Sequence, residues 1–160
     1  MLTIAVISDT HMPRGNRRLP VEHLRAADAI LHAGDFMELG VLHELQGLGP
    51  PVHAVRGNVD SHELIVRLPL MRTVCFEDVR IGMVHDAGAS QGRLARMRRR
   101  FPDAHAVVFG HSHIPLHESR DGFQIFNPGS PTERRRQPRH TFGLARIDGG
   151  DLTFELIELD

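Results

Sequence analysis

Apolar residues along the chain follow two different spacings, one typical of strands and one typical of helices. Short continuous apolar runs predict four strands, at residues 3–8, 29–33, 52–56 and 106–109. Apolar residues at helical spacing predict three helices, at residues 21–27, 38–48 and 90–101. Strands that alternate with helices in this way are typical of a layered α/β domain.

The rest of the pattern consists mainly of paired strands on either side of turn residues. One hairpin is predicted from residues 73–76 and 80–84, and two more from residues 116–120 with 123–126 and 141–147 with 152–159. Residues 128–140 contain three prolines and four arginines, which predicts a mobile surface loop. We therefore expect a single α/β domain over residues 1–160, with two packed mixed β-sheets flanked by helices.

Composition limits the partners and the setting of the protein. The chain is 41% hydrophobic and 24% charged with a net charge of -1, which gives no sign of a polyanion-binding domain. No apolar run approaches the length of a membrane span, and the first residues do not resemble a signal peptide. The single cysteine, Cys75, excludes an intramolecular disulfide and is expected to be a small buried apolar residue. We expect a cytoplasmic protein without a membrane partner.

Polar side chains follow five of the predicted strands, at the point where each strand ends. Ligands of open α/β sheets bind at the carboxyl ends of strands, so these segments are expected to converge on one edge. Each residue alone is also compatible with a turn, a cap or the surface, whereas together they indicate a site. The seven residues are Asp9, His11, Asp35, Asn58, His85, His111 and His113.

These residue types suit a pair of divalent cations. Carboxylate, imidazole and amide groups form a mixed donor set for which we expect manganese, with iron, nickel and zinc as alternatives. Two cations about 3.5–4 Å apart need a bridging ligand, and Asp35 on its Gly-Asp turn is the best candidate. Gly34, Gly57 and Gly110 are expected to let the backbone turn sharply at each strand end.

Five short motifs in this order resemble those of the calcineurin-like metallophosphoesterase superfamily. They are Asp9-x-His11, Gly34-Asp35, Gly57-Asn58, His85 and Gly110-His111-x-His113. The short chain and the segment Asn127-Pro128-Gly129-Ser130 are most similar to the small prokaryotic YfcE-like phosphodiesterases. The resemblance spans residues 4–130.

The resemblance implies a four-layer α/β/β/α sandwich and a division of the ligands between two metals. It implies that the first metal is held by Asp9, His11, Asp35 and His113. It implies that the second metal is held by Asp35, Asn58, His85 and His111. The implied activity is hydrolysis of a small phosphodiester substrate by hydroxide that the metal pair activates, with Asp35 and Asn58 in catalytic roles.

The chain departs from the resemblance at two positions. Phosphomonoesterase relatives carry a histidine after the Gly-Asn pair as the acid for the leaving group, and Val59 stands at that place here. His62 is the nearest residue that could reach the substrate in its stead. The second departure is Asp86, which either contacts a metal-bound water or begins the next turn.

The remaining polar residues are assigned more general roles. Arg14, Arg17 and Arg18 follow His11 and form either a phosphate clamp that binds substrate or a solvated loop. Asp60 is expected to cap a helix that runs from Ser61 onward. The histidines expected at the surface or at an edge are His23, His32, His43, His53, His105, His117 and His140.

Other functions are compatible with the same chain. A non-catalytic metal-binding scaffold or protein-interaction module is the main alternative, and the small retromer subunit is a precedent within the resemblance. A serine hydrolase based on Ser112 is disfavoured because Ile114 replaces the second glycine of the required elbow. A nuclease remains open but is disfavoured by the absence of Trp and Tyr, and homo-oligomers are compatible with the sequence.

Overall fold

The computed structural model describes residues 1–15 and 17–160, and within them it forms ten strands and four helices. The helices are α1 (Val21–Ala26), α2 (Leu39–Gln46), α3 (His62–Arg67) and α4 (Arg93–Arg100). The strands are β1 (Leu2–Ile7), β2 (Ala29–His32), β3 (Val52–Ala54), β4 (Met71–Phe76), β5 (Val79–Val84), β6 (Ala106–Val108), β7 (Leu116–Arg120), β8 (Phe123–Asn127), β9 (Thr141–Asp148) and β10 (Asp151–Glu158).

The strands form two five-stranded mixed sheets. The first has the order β10-β9-β1-β2-β3, with β1, β2 and β3 parallel and β9 and β10 antiparallel. The second has the order β4-β5-β6-β8-β7, with β5, β6 and β8 parallel and β4 and β7 antiparallel. Two mixed sheets flanked by helices were predicted from the sequence, and the structure confirms this fold class.

Alternation along β1 shows how the layers are built. Ile4 and Val6 belong to an apolar cluster that contains residues of both sheets, so they face the space between the sheets. Ala5 and Ile7 belong to a cluster that includes residues of α1, α2 and α3. Successive side chains of a strand point to opposite faces, so β1 is covered on both sides. A third cluster joins the second sheet to α4, which completes four α/β/β/α layers.

The predicted surface loop at residues 128–140 is only partly exposed. Ser130 and Thr132 are buried, and their hydroxyl groups donate hydrogen bonds to the backbone carbonyls of Asp9 and Thr10. An irregular segment can be buried when its polar groups find partners in this way. Only the arginine-rich half, with Arg135 and Arg136, is exposed, so the prediction was wrong for residues 128–132.

Two smaller predictions also differ from the structure. Cys75 is exposed on β4 rather than buried, because it alternates with the buried Val74 on the opposite face. The third strand ends at Ala54 instead of continuing to residue 56. Arg56 donates its backbone N–H to Pro69, which is not in the sheet. Among the described residues, no helix has the length and apolar character that a membrane span requires.

Candidate metal centre

The seven predicted ligands lie in loops at the carboxyl ends of five strands. The loops after β1, β2 and β3 come from the first sheet, and those after β5 and β6 come from the second. Backbone hydrogen bonds tie neighbouring loops together, from Asp9 N–H to Gly34 and from Gly110 N–H to His85. The structure therefore brings together side chains that are up to 104 residues apart, from Asp9 to His113.

The first group consists of Asp9, His11 and His113, all of which are buried. Asp9 Oδ1 lies 3.7 Å from His11 Nε2 and 3.5 Å from His113 Nε2. The two Nε2 atoms are 3.2 Å apart. One carboxylate oxygen and two ring nitrogens therefore converge on one small volume.

The second group consists of Asp35, His85 and His111. Asn58 joins it, because its Oδ1 lies 3.0 Å from His85 Nε2 and 3.1 Å from His111 Nδ1. Asn58 and His111 are exposed whereas Asp35 and His85 are buried. This group is therefore open to solvent on one side.

Asp35 lies between the two groups. Its Oδ2 is 3.3 Å from His11 Nε2 and 3.0 Å from His85 Nε2. Its Oδ1 accepts a hydrogen bond of 2.9 Å from the backbone N–H of Val59. This orientation is the one expected of a bridging carboxylate.

The donor atoms fit cations on two further grounds. Asp9 Oδ1 is a buried carboxylate oxygen without a hydrogen-bond partner among the described residues, and such a group is costly unless something pairs with it. Asp9 Oδ2 is satisfied by the Ser8 hydroxyl and the backbone N–H of His111. In addition, His11 Nε2 and His113 Nε2 face each other at 3.2 Å, where a proton on one ring forms a hydrogen bond between them and a cation could take the place of that proton. Both observations concern the first group, where a cation would pair with Asp9 Oδ1 and with the two ring nitrogens.

The electrostatics of the pair Asp35 and His11 are those of opposite charges held close together. Burial lowers the pKa of His11, but the carboxylates of Asp35 and Asp9 outweigh it and raise that pKa from 6.5 to about 9. Burial raises the pKa of Asp35, but the contacts with His11 and His85 hold that pKa well below its usual range. Without a cation, His11 carries a proton near neutral pH. A cation at this position would have to displace this proton, so we expect its affinity to rise as the pH increases toward about 9.

Two of the histidines are oriented by backbone carbonyls. His85 Nδ1 contacts the carbonyl of Ala33 at 2.8 Å, and His113 Nδ1 contacts the carbonyl of Glu133. A ring nitrogen that donates to a carbonyl fixes the tautomer, so that the Nε2 lone pair faces the cluster. This arrangement is common for metal-ligating histidines.

His32 was predicted to lie at the surface or at an edge, but it is a buried neighbour of the site. It is fully buried, and burial lowers its pKa to about 3, so the ring is neutral. Its Nδ1 accepts the backbone N–H of Gly34 at 3.0 Å, so Nε2 donates to Thr10 Oγ1 at 3.1 Å. The ring also stacks on Phe36. His32 thus fixes the turn that carries Asp35, and its position in the fully buried strand β2 was the available signal.

Asp60 was predicted to cap a helix, but it joins two ligand loops instead. Its carboxylate accepts backbone hydrogen bonds from Asp35, Met37 and Gly57 at 3.1, 2.9 and 2.7 Å. Ser61 occupies the cap position of α3, without a side-chain hydrogen bond to the helix. Asp60 therefore holds the Asp35 loop against the Asn58 loop, which no local pattern in the sequence indicates.

The backbone of the site is unusual for residues other than glycine. Five of the predicted ligands have positive φ angles between 45° and 73°. Such conformations cost about 1–3 kcal/mol each and cluster at functional sites. The residues are Asp9, His11, Asp35, His111 and His113.

The glycines of the site are needed mainly because neighbouring groups leave no room for a Cβ atom, and less because of an unusual backbone conformation. Of Gly34, Gly57 and Gly110, only Gly34 has a positive φ, of 101°. A Cβ atom at Gly57 would lie 2.0 Å from Asp35 Oδ1, and one at Gly110 would lie 2.0 Å from Ser8 Oγ. The left-handed freedom of glycine is therefore used only at Gly34, whereas Gly57 and Gly110 let neighbouring loops approach closely.

Two of the three predicted substrate-binding arginines line a groove that none of the seven predicted ligands lines. Arg14, Arg17 and Arg18 are exposed. Arg17 and Arg18 line a groove of ≈ 810 Å³ beside α1, α2 and the end of β10, and none of the seven predicted ligands lines this groove. The exposure of all three arginines fits both a phosphate clamp and a solvated loop, so the phosphate clamp stays a prediction.

Val59, His62 and Asp86 lie near the position at which phosphomonoesterase relatives carry a histidine acid. Val59 is 40% exposed, and His62 is exposed at the first position of α3 and belongs to neither ligand group. Asp86 Oδ1 accepts the backbone N–H of Gly88 at 2.8 Å. Asp86 therefore begins the next turn, the simpler of its two predicted roles.

His140 is also buried rather than at the surface, and its Nδ1 lies 2.7 Å from an Asp160 carboxylate oxygen.

Comparison with known proteins agrees with this geometry. Residues 2–150 match the calcineurin-like phosphoesterase superfamily domain. A probable metallophosphoesterase of Methanothermobacter thermautotrophicus is 35% identical, over 98% of this chain and 92% of its own length. Phosphodiesterase YfcE of Escherichia coli is 26% identical, over 81% of this chain and 79% of its own. The resemblance predicted from the motifs is thereby confirmed.

A solved structure shows the same fold. Vps29 of Chaetomium thermophilum superposes with a TM-score of 0.84 at 22% identity, over 99% of this chain and 88% of its own. At that identity the likeness concerns the fold alone. The two packed sheets are therefore common to this chain and to Vps29.

Proposed function

The chain belongs to the calcineurin-like phosphoesterase superfamily, and on that premise we propose that it is a phosphodiesterase that uses two divalent cations. The observation that carries the proposal is the convergence of seven metal-ligating side chains into two groups that share Asp35. The phosphodiesterase name of a relative from Escherichia coli supports the same assignment.

The seven side chains would form two cation-binding positions. Asp9, His11 and His113 would hold one cation, Asn58, His85 and His111 would hold the other, and Asp35 would contribute to both positions. Such a cation pair supplies charge neutralisation at the phosphate and lowers the pKa of bound water from 15.7 to about 7. The mixed oxygen and nitrogen donors favour manganese, with iron, nickel and zinc as alternatives.

The open side of the second group is where a phosphate ester approaches. Asn58 and His111 are exposed there, whereas Asp9 and His113 are buried beneath them. Asn58 would orient the phosphate through its amide, and Asp60 and His32 would keep the ligand loops in position through their backbone hydrogen bonds. This preorganisation reduces the rearrangement needed in the transition state.

Val59 favours a diester over a monoester. Its side chain has no proton to donate, and it lies next to Asn58 on the exposed side of the site. A leaving group that departs without a proton must be a weak base, as in an activated diester. His62, three residues further on at the start of α3, is the only substitute acid that we nominate.

The proposed function predicts metal-dependent hydrolysis of an activated diester. The chelator-treated protein should not hydrolyse bis(4-nitrophenyl) phosphate, and stoichiometric manganese should restore turnover, because the cations supply the nucleophile. Initial rates would be measured by 4-nitrophenolate release with manganese, nickel, zinc and iron in parallel. The same protein left in chelator is the control.

Two outcomes would count against the proposal. Turnover that chelator does not reduce would contradict the role of metal. Tight binding of two cations without turnover of any diester would favour a non-catalytic metal-binding scaffold instead.

A further inference from the structure

A cavity of ≈ 370 Å³ opens beside the second ligand group. We propose that this cavity binds one ester group of the substrate, and that this group is an apolar ring carrying an anionic substituent. The inference deepens the proposed function and rests on it. The lining residues that carry it are Arg56, Asn58, Ile65, Leu70, His85 and Arg100.

The position of the cavity is the first argument. Asn58 and His85 belong both to its wall and to the second ligand group, with Asn58 Oδ1 and His85 Nε2 only 3.0 Å apart. A phosphate held at that group would therefore direct one of its ester oxygens toward the cavity. The volume is at the small end of ligand sites, which fits one ring and not a large polymer.

The apolar wall is the second argument. Ile65, Leu70 and Val84 line the cavity, and Ile65 and Leu70 are 39% and 54% exposed. Two of the seven large exposed apolar side chains among the described residues, Ile65 and Leu70, therefore line this cavity. Exposed apolar side chains next to polar groups are typical of a ligand site.

The charge of the rim is the third argument. Arg56 and Arg100 contribute two positive charges, against one negative charge from Asp86. Arg56 Nη1 donates to the carbonyl of Ile65 at 3.1 Å, which holds the guanidinium at the cavity. One such bond uses one of five N–H donors, so the group can still bind a carboxylate or phosphate. Asp86 accepts a hydrogen bond from its own turn, which reduces its repulsion of an anion.

Three phosphonates test the proposal by direct binding, independently of turnover. Methylphosphonate, phenylphosphonate and 4-carboxyphenylphosphonate would be titrated calorimetrically into the manganese-loaded protein. We expect roughly tenfold tighter binding of the phenyl than of the methyl compound, from burial of the ring. We expect a further gain of about fivefold from the carboxylate, the upper range for an exposed ion pair.

Matched variants separate the two contributions. Leu70→Ser should remove the gain from the ring, whereas Val66→Ser on the outer side of α3 should keep it. Arg100→Gln should remove the gain from the carboxylate, whereas Arg99→Gln should keep it, because Arg99 is exposed on the same helix but does not line the cavity. Val66→Ser and Arg99→Gln should bind all three phosphonates like the parent, because neither residue lines the cavity.

The outcomes distinguish the cavity from the metal site. Equal affinity for the three phosphonates, or equal effects of the matched variants, would overturn the cavity proposal alone. If no phosphonate binds the metal-loaded protein, the phosphoryl site of the proposed function fails, and the cavity proposal fails with it.

Discussion

Asp35→Asn is expected to abolish paired metal binding and to lower diester turnover by more than about 100-fold. Loss of a group that only supports a metal ligand costs up to about 100-fold, and Asp35 is predicted to be a ligand itself. Asp35 Oδ2 lies within 3.3 Å of a ligand nitrogen from each group, which is closer than Asp9 Oδ1, at 3.5 Å from His113 Nε2 and 3.8 Å from His85 Nε2. A neutral amide cannot offset the charge of two cations at once. Elemental analysis after gel filtration, together with steady-state rates, measures both effects.

Asp121→Asn is the matched control for this change. Asp35 and Asp121 both have left-handed backbone, with φ of 65° and 50°, and asparagine accepts that conformation. Asp121 is exposed in a hairpin, so its variant should behave like the parent. Asp60→Asn should give an intermediate loss of about 10–100-fold in metal affinity, because it positions Asp35 without contacting metal. An Asp35→Asn protein that kept two cations and parental turnover would show that Asp35 is not the bridge.

Val59→His is expected to raise hydrolysis of an alkyl monoester by about 10²–10⁴-fold, the usual contribution of a general acid. An alkoxide is a poor leaving group unless it is protonated, and the parent has a valine beside Asn58. The exposed position tolerates a larger side chain, and the backbone N–H that bonds Asp35 Oδ1 is retained. The measurement is the kinetics of both proteins on one alkyl monoester and one aryl diester.

Val66→His serves as the control, because it adds an exposed imidazole on α3 outside the site. Aryl diester hydrolysis should change little in either variant, since a phenolate leaves without help. A parent protein that hydrolyses the alkyl monoester faster than the aryl diester would contradict this account. His62→Ala would then show whether His62 supplies the proton.

The convergence of the candidate ligands was predictable because each one follows a strand. Asp9, Asp35, Asn58, His85 and His111 stand where a short apolar run ends, and parallel strands carry such ends to one edge. The two mixed sheets were predictable for a similar reason, because apolar runs and turn residues mark most strands. Both inferences depend on patterns that are local in sequence.

The supporting contacts were not predictable from such patterns. Asp60 resembles a helix cap, yet its partners at Asp35 and Met37 are 25 and 23 residues away. Ser130 bonds the carbonyl of Asp9 across 121 residues, in a proline-containing segment that looks like a surface loop. Hydrogen bonds between loops of different strands leave no periodic trace in the sequence.

The most direct test of the account is the number of cations bound per chain. The chelator-treated protein would be reconstituted with excess manganese, separated from free metal by gel filtration, and analysed for manganese and protein. The two ligand groups that share Asp35 predict two manganese ions per chain. A value of one or less, under conditions in which the protein remains folded, would contradict the paired centre.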